Sequence, residues 1–548
     1  MTLEIRQAEL ERVLDPVPAG LTVLAALSGV PEISISAPCG GKGRCGKCVV
    51  QADPPPPPSE ADARFLTPDQ IVGGYRLACT CPAAEVRTVV VSEREETARV
   101  KGEIPRFTVP AAIWPRARAE GTWAAAIDIG TTTVAVYLLD TAAAEVVAVR
   151  AEMNRQGIFG ADVISRISYS EESPAHLERL AGAIRGQLRG MLQQLSRDRG
   201  AINTVVITGN TTMLHLIAGV SPAGIGRAPF VAEFLETREY SAGELNLGNQ
   251  GAVILLPSVA AYVGADIVSA AVAAEMDRTA STTLLVDIGT NGELALSHQG
   301  HLYTCATAAG PAFEGACISA GVGGIAGAIN SWNRRGDRIV TTTIADAPAV
   351  GICGAGLLDL MAQMLADGVV DETGRMESAE GYRDGATSRA TSPGASPSPN
   401  DALLAWQDRL TEHRGEPAVR ISETHLFTQQ DVREVQLAKA AIAAGIDVLC
   451  HDAGITPREL DQVVLTGGFG NHLRVESAVA TGLVPDLPRE RYISVDNAAG
   501  RGAVLVLRNE DTLERTRQLA SQANYIELSG HAFFQERYVE HMMFPEEE

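Results

Sequence analysis

Two stretches of this chain repeat one another across a long separation, and that repetition limits what it can fold into. The segments "AAAIDIGTTTVAVYLLD" (124–140) and "LLVDIGTNGELALSHQG" (284–300) share an apolar strand, an aspartate, an apolar residue, glycine, threonine and a second strand. Their aspartates, Asp128 and Asp287, stand 159 positions apart. The chain therefore carries one fold element twice. An aspartate that ends a strand just before a Gly-Thr turn presents backbone N–H groups and hydroxyls to a phosphate chain, with its carboxylate facing the accompanying metal. A third element, "VVLTGGFGNH" (463–472), reads as a buried strand ending in Gly467, Gly468 and Gly470, where backbone must approach something flat. The structural alternative is a pair of tight hairpins in a ligand-free α/β core.

At 548 residues, 45% of them hydrophobic, the chain supports several well-buried domains. Residues 1–95 read as short alternating strands broken by glycine and proline, a small β-rich domain. Residues 96–122 suit a linker, and from Trp123 onward Ala-rich helices alternate with apolar strands, the α/β pattern. The echo divides that region into a first lobe, 123–278, and a C-terminal lobe, 279–548. "PPPPP" (54–58) reads as a stiff surface loop, and the Ser/Pro-rich stretch 384–400 as a disordered insertion. The opening "MTLEIRQAELERVLD" has no uninterrupted apolar core, so no export signal is expected. The longest apolar run, 251–265, is short and contains Pro257, which predicts a soluble chain without a membrane span. A net charge of −22 argues against nucleic acid, and nine cysteines, five near one end and the rest scattered, suit a reducing cytoplasm.

Cys39, Cys45 and Cys48 form C-x5-C-x2-C, and "YRLACTC" adds Cys79 and Cys81. Paired zinc knuckles would need a second C-x2-C pair, and Cys79-x-Cys81 is too tight for one. Four thiolates around an iron–sulfur core need nearby backbone N–H groups, and Gly40, Gly41, Gly43 and Gly46 keep side chains out of their way. The arrangement resembles the 2Fe-2S ferredoxins, whose adrenodoxin-like branch has this first gap. The resemblance implies a β-grasp fold with Cys79, in its "RLAC" segment, as fourth ligand and Cys81 as a spare. Cys305, Cys317, Cys353 and Cys450 lie in apolar or glycine-rich contexts and read as buried structural thiols.

The two aspartate turns and the glycine strand together resemble the phosphate-1, phosphate-2 and adenosine motifs of the ASKHA superfamily of acetate and sugar kinases, heat-shock chaperones and actin. By that resemblance two ribonuclease-H-like lobes close on Mg-ATP. Gly130, Thr131 and Thr132, with Gly289, Thr290 and Asn291, bind phosphate. Asp128 and Asp287 reach the metal through water, and Gly467, Gly468 and Gly470 lie against adenosine. Glu293 either polarises a water or is an exposed strand carboxylate. "VVITGNTTMLHLIAG" (205–219) reads as the first lobe's vestigial counterpart of the adenosine turn, with His215 in a packing role. "GICGAGLLDL" and "NAAGRGAVLVL" read as glycine-backed helix packing in the second lobe.

A ferredoxin joined to a two-lobed ASKHA domain is similar to the reductive activators of corrinoid proteins. The resemblance implies ATP-dependent transfer of one electron to cobalt that has slipped from Co(I) to inactive Co(II) in a methyltransferase system. Co(I) is a stronger reductant than a plant-type cluster at about −400 mV. A deficit of ~100–200 mV is about 2–5 kcal/mol for one electron, which ATP would offset by favouring a partner conformation easier to reduce. No Asp-x-His-x-x-Gly stretch offers a lower ligand to cobalamin, so the corrinoid is expected on a separate protein. An upstream electron donor is also implied, and a homodimer is left open. The alternatives are a small-molecule kinase with an electron-transfer module and an activator of a different metalloenzyme.

Overall fold

Alternation in "LEIRQ" buries Leu3 and Ile5 on one face of a strand that begins the first sheet in the computed structural model. The structure describes residues 2–7, 10–18, 20–27, 30, 33, 35, 41, 43, 46, 48–91, 123–160, 162–197, 199–289, 291–315, 317–383, 399–467 and 473–546. Cys39, Cys45, Thr290, Gly468, Gly470, the expected linker and residues 384–398 of the expected insertion lie outside them. Residues 399–400 already belong to the helix Pro399–Trp406, whose Trp406 indole donates to Asp367 at 2.8 Å.

The first sheet comprises β1 (Leu3–Gln7), β2 (Leu10–Leu14), β3 (Val49–Asp53), β4 (Tyr75–Leu77) and β5 (Thr88–Val91), in the order β2-β1-β5-β3-β4. β1 and β5 run parallel and the other neighbours antiparallel, and the helix Val23–Leu27 buries Val23, Leu24 and Leu27 against the sheet. This is the expected β-grasp. The proline run is a surface loop, with Pro54, Pro55, Pro57 and Pro58 exposed, and it is anchored at buried Pro56, whose carbonyl accepts from Nε of buried Arg76 at 2.7 Å. The run leads into Ser59, which caps the helix Glu60–Phe65 together with Asp62. Asp62 then accepts from the Leu77 amide at 2.7 Å, tying this helix to the strand before Cys79.

The next sheet contains β6 (Trp123–Ile129), β7 (Thr133–Asp140), β8 (Glu145–Met153), β9 (Ile202–Gly209), β10 (Arg238–Tyr240) and β11 (Val253–Leu255), in the order β10-β11-β9-β6-β7-β8. The echo begins again with β12 (Thr283–Ile288), β13 (Gly292–His298) and β14 (His301–Thr307). Two small sheets follow: β15 (Ala328–Arg335), β16 (Arg338–Thr343) and β17 (Gly351–Ile352), then β18 (Leu410–His413), β19 (Glu416–Arg420) and β20 (Leu426–Thr428). The chain returns through β21 (Gln462–Gly467), β22 (Tyr492–Ser494) and β23 (Asn524–Tyr525) to complete the order β22-β21-β12-β13-β14-β23.

The two six-stranded sheets share a three-strand antiparallel meander, then a strand parallel to its first member and another parallel to that one. Even the register matches: Asp128 lies opposite Thr208 and Ile129 opposite Gly209, as Asp287 lies opposite Thr466 and Ile288 opposite Gly467. Thus "VITG" at 206–209 occupies in the first lobe the place of "VLTG" at 464–467 in the second.

The lobes exchange covers. The helix Ala265–Ala273, from the first lobe, packs Ile267 and Val268 in one cluster with Leu285, Ala295 and Val464 of the second sheet. The helix Ala498–Arg508 follows β22 but sets Ala503, Val504, Val506 and Leu507 into the first lobe's core. "NAAGRGAVLVL" therefore packs across the lobes, correcting the expectation that it stays within the second. The two helices touch at Gly502, where a methyl group would overlap the Ser269 carbonyl. Among the described residues no helix is long and apolar enough to cross a membrane.

Two glycine substitutions separate helix propensity from this contact. Gly186→Ala, on the exposed side of the helix Pro174–Ser196 with open space around it, should stabilise the chain by about 0.5–1 kcal/mol. Gly502→Ala has the same propensity gain, yet should lower the calorimetric unfolding midpoint, because overpacking costs about 1–3 kcal/mol. A raised midpoint for Gly502→Ala would mean the helices do not cross this closely.

Candidate nucleotide and cluster sites

The turn after β6 is held by its carbonyls. Asn154 donates from Nδ2 to the Gly130 carbonyl at 2.9 Å and from its backbone N–H to that of Thr132 at 2.8 Å. Arg166, almost fully buried, donates to the Thr131 carbonyl at 2.6 Å, and Asn210 Nδ2 donates to Thr131 Oγ1 at 3.0 Å. With the carbonyls engaged, the amides of Thr131 and Thr132 have no acceptor among the described residues. Two neighbouring unpaired N–H groups in a tight turn form an anion cradle. Burial pulls the Arg166 guanidinium down to about 10, still charged at neutral pH.

Acids converge on the cleft between the turns. Asp287 and Glu293 are directly opposite one another on β12 and β13, a cross-strand pairing of like charges that is unfavourable on its own. Asp128 and Asp287 are half-buried. Loss of water and then the charge of Asp266 push Asp128 up to about 7, against a hydrogen bond from the Asn497 side chain. Burial, Asp266, Asp128 and Glu314 push Asp287 up to about 8. Glu293 is raised by burial, Asp266 and Asp287, so it faces the other acids and is no isolated surface carboxylate. Mutual repulsion of this kind is relieved by a cation. Among the described residues no three His, Cys, Asp or Glu side chains come together tightly enough to grip a metal directly.

In the second turn the Gly289 amide donates to the Asn291 carbonyl at 3.1 Å, and Asn291 Nδ2 reaches Glu293 at 3.5 Å. Gly467 has φ +107°, and a side chain there would run into the Ile288 carbonyl. Gly209, with φ +153°, meets Ile129 in the same way, so glycine is required at both equivalent strand ends. Neighbouring Thr466 accepts from the Ala498 amide at 3.0 Å. His215 is buried, stacked on Phe234 with centroids 4.1 Å apart, and its Nδ1 lies 2.7 Å from the Thr211 carbonyl. It packs, as expected.

Sequence reading missed Asp266, Glu314, Arg166, Asn154, Asn210 and Asn497. Asp266 opens the helix that crosses between lobes, and Asn497 precedes the other crossing helix. Their proximity comes from the exchange of covers, which no local motif encodes. Asn210 was in plain view beside the first lobe's glycine strand end.

In the ferredoxin domain the Cys48 carbonyl accepts from the Ala78 amide at 2.7 Å, bringing Cys48 beside the segment that carries Cys79. A Cβ built on Gly41 would lie 3.8 Å from Cys79 Cβ, so the glycine loop also runs past Cys79. Gly41, Gly43 and Gly46 all have positive φ, and a side chain on Gly46 would collide with Phe65. Cys81 is buried, and loss of water, then the Asp62 charge, push its thiol up to about 12. Cys305, Cys353 and Cys450 are buried as expected. Cys317 is exposed, which corrects the fourth; it lies two residues beyond Gly315.

Two ribonuclease-H-like lobes meeting at paired aspartate turns, behind a β-grasp domain with clustered cysteines, define an ASKHA protein with a ferredoxin attached. Residues 9–84 match the 2Fe-2S iron-sulfur cluster binding domain, 123–279 the RACo middle region, and 281–548 the C-terminal ASKHA domain of RACo. The corrinoid activation enzyme RamQ of Eubacterium limosum is 31% identical over 429 residues, covering 76% of this chain and 70% of that protein. The Co(II) methylated amine-specific corrinoid protein reductase of Methanosarcina barkeri is 24% identical over 429 residues, covering 72% and 70%. A solved structure of a reductive activator for corrinoid, iron-sulfur protein matches with a TM-score of 0.67 and 25% identity, over 99% of this chain and 98% of that one. The chain belongs to the RACo family.

Two outcomes test these sites. Cys79→Ser should lose iron and the rhombic paramagnetic resonance signal of the reduced 2Fe-2S cluster, while Cys81→Ser keeps both. For the carboxylates, an unfolded Asp releases its proton near 3.8 and folded Asp287 near 8, so the folded state holds more protons between those values. Without divalent cations the unfolding midpoint should therefore fall as pH rises from 5 to 8, and Asp287→Asn should flatten that fall. An unchanged slope would show that Asp287 titrates normally.

Proposed function

We propose that this chain is an ATP-dependent reductive activator that returns the Co(II) of a separate corrinoid protein to Co(I) for a methyltransferase system. The observation that supports this best is the end-to-end likeness to a reductive activator for a corrinoid protein, spanning the ferredoxin and both lobes. The names of RamQ and of the Co(II) corrinoid protein reductase support the same partner class.

On this reading Cys39, Cys45, Cys48 and Cys79 hold the cluster, which supplies a one-electron carrier when bound. Gly41, whose built Cβ would lie 3.8 Å from Cys79 Cβ, supports that assignment by leaving room beside Cys79. Thr131, Thr132, Gly130, Gly289, Thr290 and Asn291 hold the phosphates of ATP. Asp128 and Asp287 hold the waters of its magnesium, and Glu293 orients the attacking water. Gly467, Gly468 and Gly470 face the adenosine. The crossing helices Ala265–Ala273 and Ala498–Arg508 link closure of the cleft to the relative position of the lobes, and through it to a docked partner. The chain works in the cytoplasm, with an upstream donor refilling its cluster.

The test is a mixture of the dithionite-reduced protein, a Co(II) corrinoid protein and Mg-ATP, followed by visible spectra. Wild-type protein should yield Co(I) only with ATP. Asp128→Ala and Asp287→Ala should each lower ATP turnover by about 10²-fold or more while leaving the cluster spectrum intact. ATP turnover that ignores the corrinoid protein but phosphorylates acetate or a sugar would replace this reading with a kinase.

A further inference from the structure

The seat between the two turns already holds an anion from the chain itself. Glu314 belongs to the loop joining β14 to Val322, whose sequence is "AAGPAFEGACISAG". Its Oε2 accepts from Thr132 Oγ1, on the opposite lobe, at 3.0 Å. Its Oε1 lies 3.9 Å from a Cβ built on Gly289. One carboxylate thus reaches both phosphate-type turns.

The surroundings of Glu314 pull in opposite directions. The field of buried Arg166 and the Thr132 hydroxyl attract an anion there, whereas Asp287 repels one. A phosphate bringing its own magnesium would keep the attraction and neutralise the repulsion. The loop is braced on either side of Glu314: Ala312 and Phe313 are buried, the Ser319 amide donates to Asp431 at 2.7 Å, and Gly315 packs so tightly against Gly321 that neither accepts a side chain. The carboxylate is therefore presented from a fixed frame, and can leave by moving its own side chain.

We propose that Glu314 occupies the seat of the nucleotide's terminal phosphates when the cleft is empty and must vacate it for ATP to bind, joining the lobes through Thr132 in the meantime. This rests on the reading of the cleft as an ATP site. Apparent affinity is reduced by the fraction of time the seat is taken. A seat open about one-tenth of the time weakens ATP about tenfold. AMP, which has no terminal phosphates, would not meet the carboxylate.

Calorimetric titration of the full chain with Mg-ATP and with AMP tests this. Glu314→Gln, nearly the same shape without the charge, should bind ATP about tenfold more tightly than wild type and AMP unchanged. Glu314→Asp, shorter by one methylene, should fall between. ATP bound no more tightly by Glu314→Gln, or AMP gaining as much as ATP, would overturn the proposal. So would lost ATP turnover without a gain in affinity, which would make Glu314 a catalytic group. If no variant and no wild-type protein binds ATP, the nucleotide reading itself fails and takes this one with it.

Discussion

Repulsion among carboxylates governs the centre of this molecule. Asp287 faces Glu293 across a strand pair, and buried Asp266 raises Asp128, Asp287 and Glu293 beyond what their own burial does. In isolation such a centre would push the lobes apart or protonate. Neutral and cationic groups hold the first turn beside it: Asn154 and Arg166 donate to its carbonyls and Asn210 to the Thr131 hydroxyl. Under the proposed function, magnesium carrying a nucleotide would complete this cleft.

Much of this was legible in the chain. The repeated Asp-x-Gly-Thr pattern implied two sheets of one kind, and the register confirms the likeness down to the residue, Gly209 matching Gly467. The cysteine spacing and glycines indicated a ferredoxin, and a 2Fe-2S domain matches residues 9–84. The readable signals were local: period, turn chemistry and spacing, each determined by neighbours in sequence.

What could not be read arises between segments far apart. Asp266 and Asn497 reach Asp128 because each lies at the start of a helix that crosses to the other lobe. Glu314 reaches Thr132 across 182 positions. Pro56 is buried because Arg76 turns back twenty residues to hold its carbonyl. Cys317 looked like its apolar neighbours, yet lies just past a left-handed Gly315 that turns the chain outward. Composition describes a residue's preference, and only the crossing of chains decides whether it is met.

The exchange of covering helices also has a history during synthesis. The first lobe's sheet is complete by Leu255, but the helix that covers part of its apolar face begins at Ala498. At ~5–20 residues per second, the roughly 240 residues between them take the ribosome about 12–50 s. Throughout that interval the sheet bearing Ala124, Val205 and Val206 lacks a piece of its permanent cover, exposed to whatever else is sticky in the cell. A nascent chain of this design calls for a chaperone's protection, and the delay is imposed by topology, independent of how stable the finished protein becomes.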